Sequence, residues 1–426
     1  MKKKLLWLTT LVITMFTVSC WGGDKEASKE GEAVNINIFQ FKVEFKDQFT
    51  ELAKEYMKEH ENVNINITTV GGGADYGAAL KAKFASGDEP TIFNIGGPQD
   101  VKDLQSKLEN LKGSKISDLA IPKLLEGVTV DGNIYGVPYN QEGYGLIYNK
   151  EVFEKANIDA SKLITYSDLL EAVEILDSKK AELGLDAVFA FPAKETWVTG
   201  LHLSNIFISP EFNGDILKAF EAKEIKFEYA NQYKQLVDLQ NKYSVQPTVS
   251  LDYSQQVEKL FSLGKVAMIQ QGNWAFSSIA GVDAKLAENI GMIPIPAEGV
   301  IENKLAVGVP MFWAVNKDAD DASKEAAKDF LNWMYSSEVG KDYVINKFKF
   351  IPAYMGYENE KIVDPLSQVV YNYSKDGNTL NWVFMGYPSG WGMNTLGSNL
   401  QKYLSGNATF DEVINTSKQA WQESRK

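Results

Sequence analysis

Alternating apolar and polar residues predict that the fold begins with two strands separated by a helix. Residues 34–38 and residues 63–67 both read Val-Asn-Ile-Asn-Ile, which is the alternation of a half-buried strand. The apolar residues that recur at helical spacing between these strands are Phe45, Phe49, Leu52 and Tyr56. A strand, a helix and a strand at this short spacing predict a parallel sheet with a crossover helix.

A second helix and a third strand extend this unit. Tyr76, Leu80 and Phe84 recur at helical spacing, and the segment Gly-Asp-Glu-Pro at 87–90 ends that helix before a strand at 91–95. The first part of the chain is therefore predicted to be a βαβαβ unit of an α/β protein. Farther along, the pattern stays mixed, with helices predicted at 166–182, 254–263, 323–336 and 394–404.

The first 33 residues are predicted to be a secretion leader and a tether. Lysines at 2–4 precede an apolar run at 5–18, whose 14 residues are fewer than the about 20 that span a membrane. The end of this run resembles a bacterial lipobox, so we predict a lipoprotein signal peptide at 1–19 and a lipidated Cys20. Residues 20–33 are rich in Gly, Glu and Lys, which predicts a flexible tether. An ordinary signal peptide with an incidental cysteine is the alternative.

Composition argues against several kinds of chemistry. Of 426 residues, 43 are basic and 56 are acidic, and the net charge of -13 argues against nucleic-acid binding. The only arginine is Arg425, so the guanidinium fork that grips carboxylates and phosphates is missing from the body of the chain, which disfavours an anionic ligand. One cysteine and two histidines are too few for a Cys-rich or His-rich metal site, and we expect no metal and no cofactor.

Several segments along the chain share a family pattern. They are DGNIYGVPYNQEGYGLIYNKEVF at 131–153, GKVAMIQQGNWAF at 264–276, IGMIPIP at 290–296, VNKDADDASKEAAKDF at 315–330, FIPAY at 350–354 and the segment around Trp391. Taken in this order, they resemble the extracellular solute-binding proteins of carbohydrate ABC importers, the family that includes maltose-binding protein. The resemblance spans essentially the whole chain after the leader.

This resemblance implies a two-lobed α/β fold of the periplasmic-binding-protein type, with discontinuous lobes joined by crossing strands and the ligand in the cleft between them. The N-terminal lobe would comprise 34–140 plus 292–349, and the C-terminal lobe 141–291 plus 350–426. The crossings would fall near 139–141, 288–291 and 350–353.

The resemblance also implies what the protein does and where. It would be a monomeric binding protein rather than an enzyme, and it would capture a neutral oligosaccharide and deliver it to the permease subunits of an ABC transporter. The lipid on Cys20 would anchor it in the bilayer, so it would be extracytoplasmic and held at the bacterial cell membrane.

A cleft for a neutral sugar needs aromatic faces beside groups that donate and accept hydrogen bonds, because sugars present both C–H faces and hydroxyls. Trp274 follows Gly272 at a predicted strand-to-helix turn, and Trp391 lies between two glycines, so we predict that both contact ligand. Trp197 matches an aromatic ligand contact of the resembling family. Burial of any of these rings in a core is the alternative.

Polar ligand contacts are predicted in both lobes. Glu142 and Glu195 match positions where the family uses a carboxylate to accept sugar hydroxyls, although an exposed glutamate is more often merely solvated. Loops after strands should face the ligand, because open α/β sheets bind ligands at the carboxyl ends of their strands. The other predicted ligand-binding residues are Gln40, Phe41, Lys42, Glu44, Asn94 and Asn273. Lys42 could instead pair with Glu44.

Two other functions fit the composition. The 56 acidic residues could include the paired carboxylates of a secreted glycoside hydrolase. A polyamine or another cation could also bind between aromatic faces and carboxylates in a fold of the same kind. The leader, the tether and the crossing strand favour the sugar-binding function over both.

Overall fold

The fold consists of two β-sheets with helices packed on them. A computed structural model describes residues 33–426 except 72–74, 359–361 and 363. The strands are β1 (Val34–Gln40), β2 (Val63–Thr69), β3 (Ile92–Ile95), β4 (Thr129–Val130), β5 (Asn133–Ile134), β6 (Val137–Pro138), β7 (Glu142–Asn149), β8 (Ala187–Phe189), β9 (Val266–Gly272), β10 (Ile290–Ile293), β11 (Leu305–Gly308), β12 (Phe312–Val315) and β13 (Thr379–Asn381).

The helices lie between these strands and after them. They are α1 (Lys46–Glu59), α2 (Tyr76–Ser86), α3 (Pro98–Leu104), α4 (Lys115–Leu119), α5 (Lys150–Ala156), α6 (Tyr166–Leu183), α7 (Ser204–Ile208), α8 (Ile216–Glu221), α9 (Ala230–Lys242), α10 (Ala275–Val282), α11 (Ala284–Glu288), α12 (Asp321–Ser336), α13 (Glu338–Asp342), α14 (Pro365–Lys375), α15 (Ser398–Leu404) and α16 (Phe410–Ser424). Four turns of π-helix add to them at Val198–Leu203, Gln255–Phe261, Tyr343–Lys347 and Trp391–Gly397.

The first sheet has the strand order β2-β1-β3-β12-β6. Strands β1, β2 and β3 are parallel, as their alternation and spacing predict, and Ile36 and Ile38 of β1 are buried while its asparagines are exposed. Phe49 of helix α1 packs on the sheet, and its ring stacks on Trp313 of β12 at 5.6 Å between centroids. Fully buried rings of this kind make a separate core for the first sheet.

The second sheet is built around the long strand β7. Its order is β13-β11-β7-β9-β8, and β10 pairs with the far end of β7 on the same edge as β11. Every residue of β9 is buried, because helices cover both faces of this sheet. The apolar residues around it form two further clusters. We call each sheet with its core and helices a lobe.

The chain passes between the lobes in three places. It leaves the first sheet after β6 and enters the second at β7, returns between β11 and β12, and passes a last time between Tyr354, in the first core, and Ile362, in the second. Residues 292–308 were assigned by sequence to the N-terminal lobe, but β10 and β11 pair with β7. Likewise Phe350 and Ala353, predicted in the C-terminal lobe, pack in the first core.

Arg425 forms a second contact between the two lobes. Arg425 donates from Nη1 to Oε1 of Gln99 in the first lobe at 2.7 Å, and from Nη2 to the carbonyl of Gly386 in the second lobe at 2.6 Å. Its guanidinium also lies 5.2 Å from the centroid of the Phe220 ring. The one arginine of the chain therefore sits at a contact between lobes.

The predicted leader and tether lie outside the described residues, apart from Ala33. No helix in the described ranges is both long and apolar enough to cross a membrane.

Candidate functional site

A small cavity lies where the two lobes meet beside β7. Its volume is about 20 Å³, which is room for about one water molecule. The residues that line it are Lys42, Glu44, Phe45, Asn140, Glu142, Asn273, Trp274, Ser277, Phe348, Lys349 and Phe350. Ligand pockets usually exceed about 300 Å³, so this cavity is too small for a ligand of that size.

A buried ion pair crosses the cleft. Nζ of Lys42, in the loop after β1, contacts a carboxylate oxygen of Glu142, the first residue of β7. Lys42 is 5% exposed and Glu142 is 3% exposed, and Asn140 donates to the same Glu142 oxygen at 3.1 Å. Burial raises the pKa of the Glu142 carboxyl, while Lys42 and Asn140 oppose that rise. Lys42 thus pairs with Glu142 rather than with Glu44.

Gln40 shapes the loop that carries Lys42. Its Nε2 donates to Oγ1 of Thr69 at 2.6 Å and to the carbonyl of Lys42 at 2.8 Å. Its Oε1 accepts from the backbone N–H of Lys42 at 2.7 Å and from the Tyr139 hydroxyl at 3.0 Å. All four hydrogen-bonding positions of this fully buried amide are used within the chain. Gln40 therefore holds the loop of Lys42 in place, and its predicted ligand contact stays a prediction.

The other predicted residues of the first lobe have different surroundings. Phe41 packs edge-on against Tyr139 at 5.5 Å between centroids, and Glu44 lines the cavity. Asn94, in β3, is 1% exposed, and neither atom of its amide has a hydrogen-bond partner among the described residues. Such buried orphans are rare and costly, so the Asn94 amide needs a partner that the described residues do not supply.

Aromatic rings from three segments of the second lobe form one group beside the ion pair. We call Trp197, His202, Trp274, Trp382 and Phe384 the aromatic cluster. The centroid of Trp274 lies 5.3 Å from His202 and 6.3 Å from Trp197, and Trp382 lies 5.5 Å from His202. The structure thus brings Trp197 and Trp274 together, and their predicted contact with ligand stays a prediction.

Hydrogen bonds from the lobe hold these rings in place. The Trp274 indole N–H donates to Oε1 of Gln271 at 2.9 Å, and the Gln271 amide donates to Gln256 at 2.7 Å. Asn273 ties the same turn to β7, because its Oδ1 accepts from the N–H of Gly143 at 3.0 Å. The Trp274 ring is therefore fixed before any ligand arrives.

Glu195 orients Trp197. Its Oε2 accepts from the indole N–H of Trp197 at 2.8 Å, and its Oε1 accepts from the backbone N–H of Tyr253 at 3.0 Å. Both oxygens are thus engaged within the lobe, although each keeps a further lone pair. The predicted contact of Glu195 with a sugar hydroxyl stays a prediction.

Trp391 lies in the core of the second lobe instead of the cleft. It is 2% exposed, its indole N–H donates to the carbonyl of Ser417 at 2.8 Å, and its ring packs edge-on against Trp421 at 4.8 Å between centroids. Gly390 is exposed and precedes a π-helical turn at Trp391–Gly397 that packs against α16. This burial agrees with the alternative of a core ring, and the ligand contact of Trp391 stays a prediction.

Metal chemistry finds no support in this geometry. Among the residues that the structure describes, no group of three or more His, Cys, Asp or Glu side chains is arranged to hold a metal ion. The cleft instead offers aromatic faces, amides and one buried ion pair.

A family model matches most of the chain. Residues 42–341 match the model of the bacterial extracellular solute-binding protein family. The chain belongs to this family.

Individual relatives agree with this assignment. A multiple sugar-binding protein of Streptococcus mutans is 23% identical over 359 residues, covering 80% of this chain and 80% of that protein. The melibiose/raffinose/stachyose-binding protein MelE of Bacillus subtilis is 23% identical over 300 residues, covering 68% of this chain and 67% of that protein. The solved structure of a chitin oligosaccharide binding protein superposes with a TM-score of 0.78 at 22% identity, over 93% of this chain and 100% of that one. The solute-binding protein therefore has the two-lobed α/β fold that its sequence predicts.

Several residues of this solute-binding protein's cleft and aromatic cluster are not indicated by the sequence reasoning, and Asn140, His202 and Trp382 are examples. Asn140 belongs to the same segment as Glu142, and an amide at a crossing strand could have been chosen on that ground. His202 enters the cluster through the π-helical turn at Val198–Leu203, which has no clear sequence signal. Trp382 comes from a segment that is far along the chain, and its local pattern predicts only a strand end.

The histidine of the aromatic cluster is held in its neutral form. His202 stacks on Tyr144 at 4.3 Å between centroids. Burial, helped by the charge of Lys42, lowers the pKa of His202 from 6.5 to about 3. Because the unfolded chain binds a proton at this site between those values and the folded one does not, acidification favours unfolding there.

We expect the variant His202→Phe to reduce the acid sensitivity of the solute-binding protein. Between pH 7 and pH 5, the wild type should lose about 1–2 kcal/mol more unfolding free energy than the variant, because the depressed pKa of His202 is absent from the latter. Urea unfolding at several pH values measures this difference. Equal slopes of stability against pH in both proteins would show that folding does not lower the pKa of His202.

Proposed function

We propose that this solute-binding protein captures a neutral oligosaccharide between its lobes and passes it intact to the permease of an ABC importer. The observation that carries the proposal is that four of the buried polar atoms without partners among the described residues belong to Asn94, Asn140 and Trp382: both amide atoms of Asn94, Oδ1 of Asn140 and Nε1 of Trp382. They are uncharged donors and acceptors. Sugar hydroxyls, which donate and accept, would satisfy them.

The aromatic cluster supports the same ligand class. Ring faces of Trp274 and Trp197 suit the C–H faces of pyranoses, and the chain holds both indoles by hydrogen bonds to Gln271 and Glu195. The names of the relatives in Streptococcus mutans and Bacillus subtilis also refer to sugars. We infer a neutral sugar because the charged residues that line the cavity balance: Lys42 and Lys349 against Glu44 and Glu142.

The two alternative functions, a polyamine carrier and a glycoside hydrolase, have less support. A polyamine would require free carboxylates beside the aromatic faces, but Glu142 is already neutralised by Lys42. A retaining or inverting hydrolase would need two carboxyl groups available to flank a glycosidic bond, and that same ion pair engages Glu142. We therefore infer that the protein binds its ligand without chemistry.

A thermal-shift screen with neutral oligosaccharides, spermidine and acidic sugars tests this function. A ligand that binds only the folded state stabilises it by about 2.7 kcal/mol at a hundred times its Kd. We expect a neutral oligosaccharide to raise the melting temperature and to be recovered unchanged by mass spectrometry. Stabilisation by spermidine alone would make the protein a cation carrier, and hydrolysis of the bound sugar would make it an enzyme.

Ligand binding should proceed through opening and closing of the lobes. The cavity of about 20 Å³ admits no sugar, so the lobes must separate first and then close as a hinge around the crossing segments. We also propose that the protein is a monomer and that it delivers the bound sugar to the permease. Small-angle scattering with and without the sugar from the screen would reveal the change in radius of gyration.

We also propose that the mature protein is anchored to the bacterial membrane through Cys20, which lies outside the described residues. The charged and apolar leader that precedes it supports this proposal. We expect Cys20→Ala to move the protein from the membrane fraction to the soluble fraction, and mass spectrometry of the wild type to find an acylated N-terminal cysteine. Equal membrane retention of both proteins would contradict lipidation.

A further inference from the structure

The second lobe presents a site for a positively charged nitrogen, and a lysine of the first lobe fills it. Nζ of Lys42 contacts the Glu142 carboxylate and lies 5.5 Å from the centroid of the Trp274 ring. A carboxylate beside an aromatic face at this distance is the common arrangement for binding an ammonium group. Lys42 is 5% exposed, so its charge is withdrawn from solvent and compensated within the cleft.

The first lobe is built to deliver this ammonium group. Gln40 binds the backbone of Lys42 on both sides, through its N–H at 2.7 Å and its carbonyl at 2.8 Å. Tyr139, at the crossing into the second lobe, donates to the same glutamine at 3.0 Å. Buried groups therefore fix the position of the Lys42 backbone, and from this position the Lys42 side chain contacts Glu142.

We propose that Lys42 is a built-in counter-ion that sets the charge selectivity of the cleft. It occupies the ammonium site made by Glu142 and Trp274, and so the cleft accepts neutral ligands and rejects cationic ones. This inference rests on the proposed function, because it explains how a cleft with aromatic faces and carboxylates is kept for uncharged sugars. Without the lysine charge, Glu142 would attract a ligand amine to the same place.

The physical reason is the cost of an uncompensated buried charge. A charged group in a partly desolvated site needs a partner of opposite charge. Any cation whose charge and geometry fit can serve as that partner for Glu142. When Lys42 is present, the amine of a ligand would approach an ion pair that is already neutral, and the ammonium group of Lys42 would repel it. When Lys42 is replaced by an uncharged residue, the ligand amine would itself form the ion pair with Glu142.

The test compares spermidine binding by four proteins in titration calorimetry at low salt. They are the wild type, Lys42→Gln, the double variant Lys42→Gln with Glu142→Gln, and Lys107→Gln. Glutamine removes the charge and keeps a polar donor at this position, and Asn140 still donates to Glu142 at 3.1 Å. Lys107, paired with Glu89 at 2.7 Å and Asp318 at 2.8 Å outside the cleft, controls for the change in net charge.

We expect Lys42→Gln to bind spermidine at least about tenfold more tightly than the wild type, and the double variant and Lys107→Gln to bind it no better than the wild type. A gain below about twofold in Lys42→Gln, or an equal gain in either control, overturns the proposal. If Lys42→Gln does not fold, Lys42→Met in the same titration decides, with the same criteria. Failure of every neutral oligosaccharide to bind the wild type would instead count against the proposed function, whatever the variants do with spermidine.

Discussion

Replacing Trp391 by alanine is expected to lower the free energy of unfolding by about 3–5 kcal/mol, the usual cost of removing a buried tryptophan ring. The ring is packed against Trp421 and Tyr387 at 4.8 and 5.1 Å between centroids, and the variant also leaves the carbonyl of Ser417 without its indole donor. Chemical unfolding followed by circular dichroism measures the loss.

Two comparisons make this expectation specific. Trp391→Phe keeps most of the ring and should lose clearly less stability than the alanine variant. The sugar affinity of any folded Trp391 variant should equal that of the wild type, because the ring lies outside the cleft. A Trp391→Ala protein of unchanged stability and weakened sugar binding would restore the ligand contact predicted from the sequence.

Replacing Trp274 by alanine should have the opposite profile, with sugar binding weakened by about 1–3 kcal/mol and the fold retained. The ring is partly exposed at the cavity and is fixed by Gln271, so its removal costs the ligand an aromatic face that was already in position. Calorimetry with the oligosaccharide found in the thermal-shift screen measures the change.

The variant Trp274→Phe separates the contribution of the aromatic face from that of the hydrogen bond to Gln271. Phenylalanine keeps an aromatic face but cannot donate to Gln271, so it should retain more of the affinity than alanine while losing some rigidity of the turn. Unchanged affinity in both variants would mean that Trp274 is a structural residue and that the ligand binds elsewhere.

The start of the fold was predictable because its pattern is local. The alternation at 34–38 and 63–67 fixes which face of each strand is buried, and the spacing of Phe49 and Tyr56 fixes the buried face of α1. The lobe boundaries after 290 were not predictable in this way. An apolar strand such as β10 or β11 fits either sheet equally well, and only its pairing with β7 decides.

The candidate site shows the same limit. Residue type predicted which segments carry amides and aromatic rings near the cleft. It could not show which of these side chains are engaged in contacts within the protein and which remain available to a ligand. Gln40 uses all of its hydrogen-bonding positions on Lys42, Thr69 and Tyr139 of its own chain. Trp391 is covered by α16, a helix that follows it in the chain. Asn94 was predicted on the same grounds as Gln40, and the difference between them is visible only in three dimensions.

The contact made by Arg425 has a practical consequence for studying the protein. Lys426 follows Arg425 directly, so a group attached at Lys426 would lie near the contact between the two lobes, where Arg425 binds Gln99 and Gly386. A purification tag left there would hinder closure or opening and distort measured affinities. An environment-sensitive dye at the same end would experience a change of surroundings whenever the lobes part, which would turn the protein into an optical sensor for its own ligand.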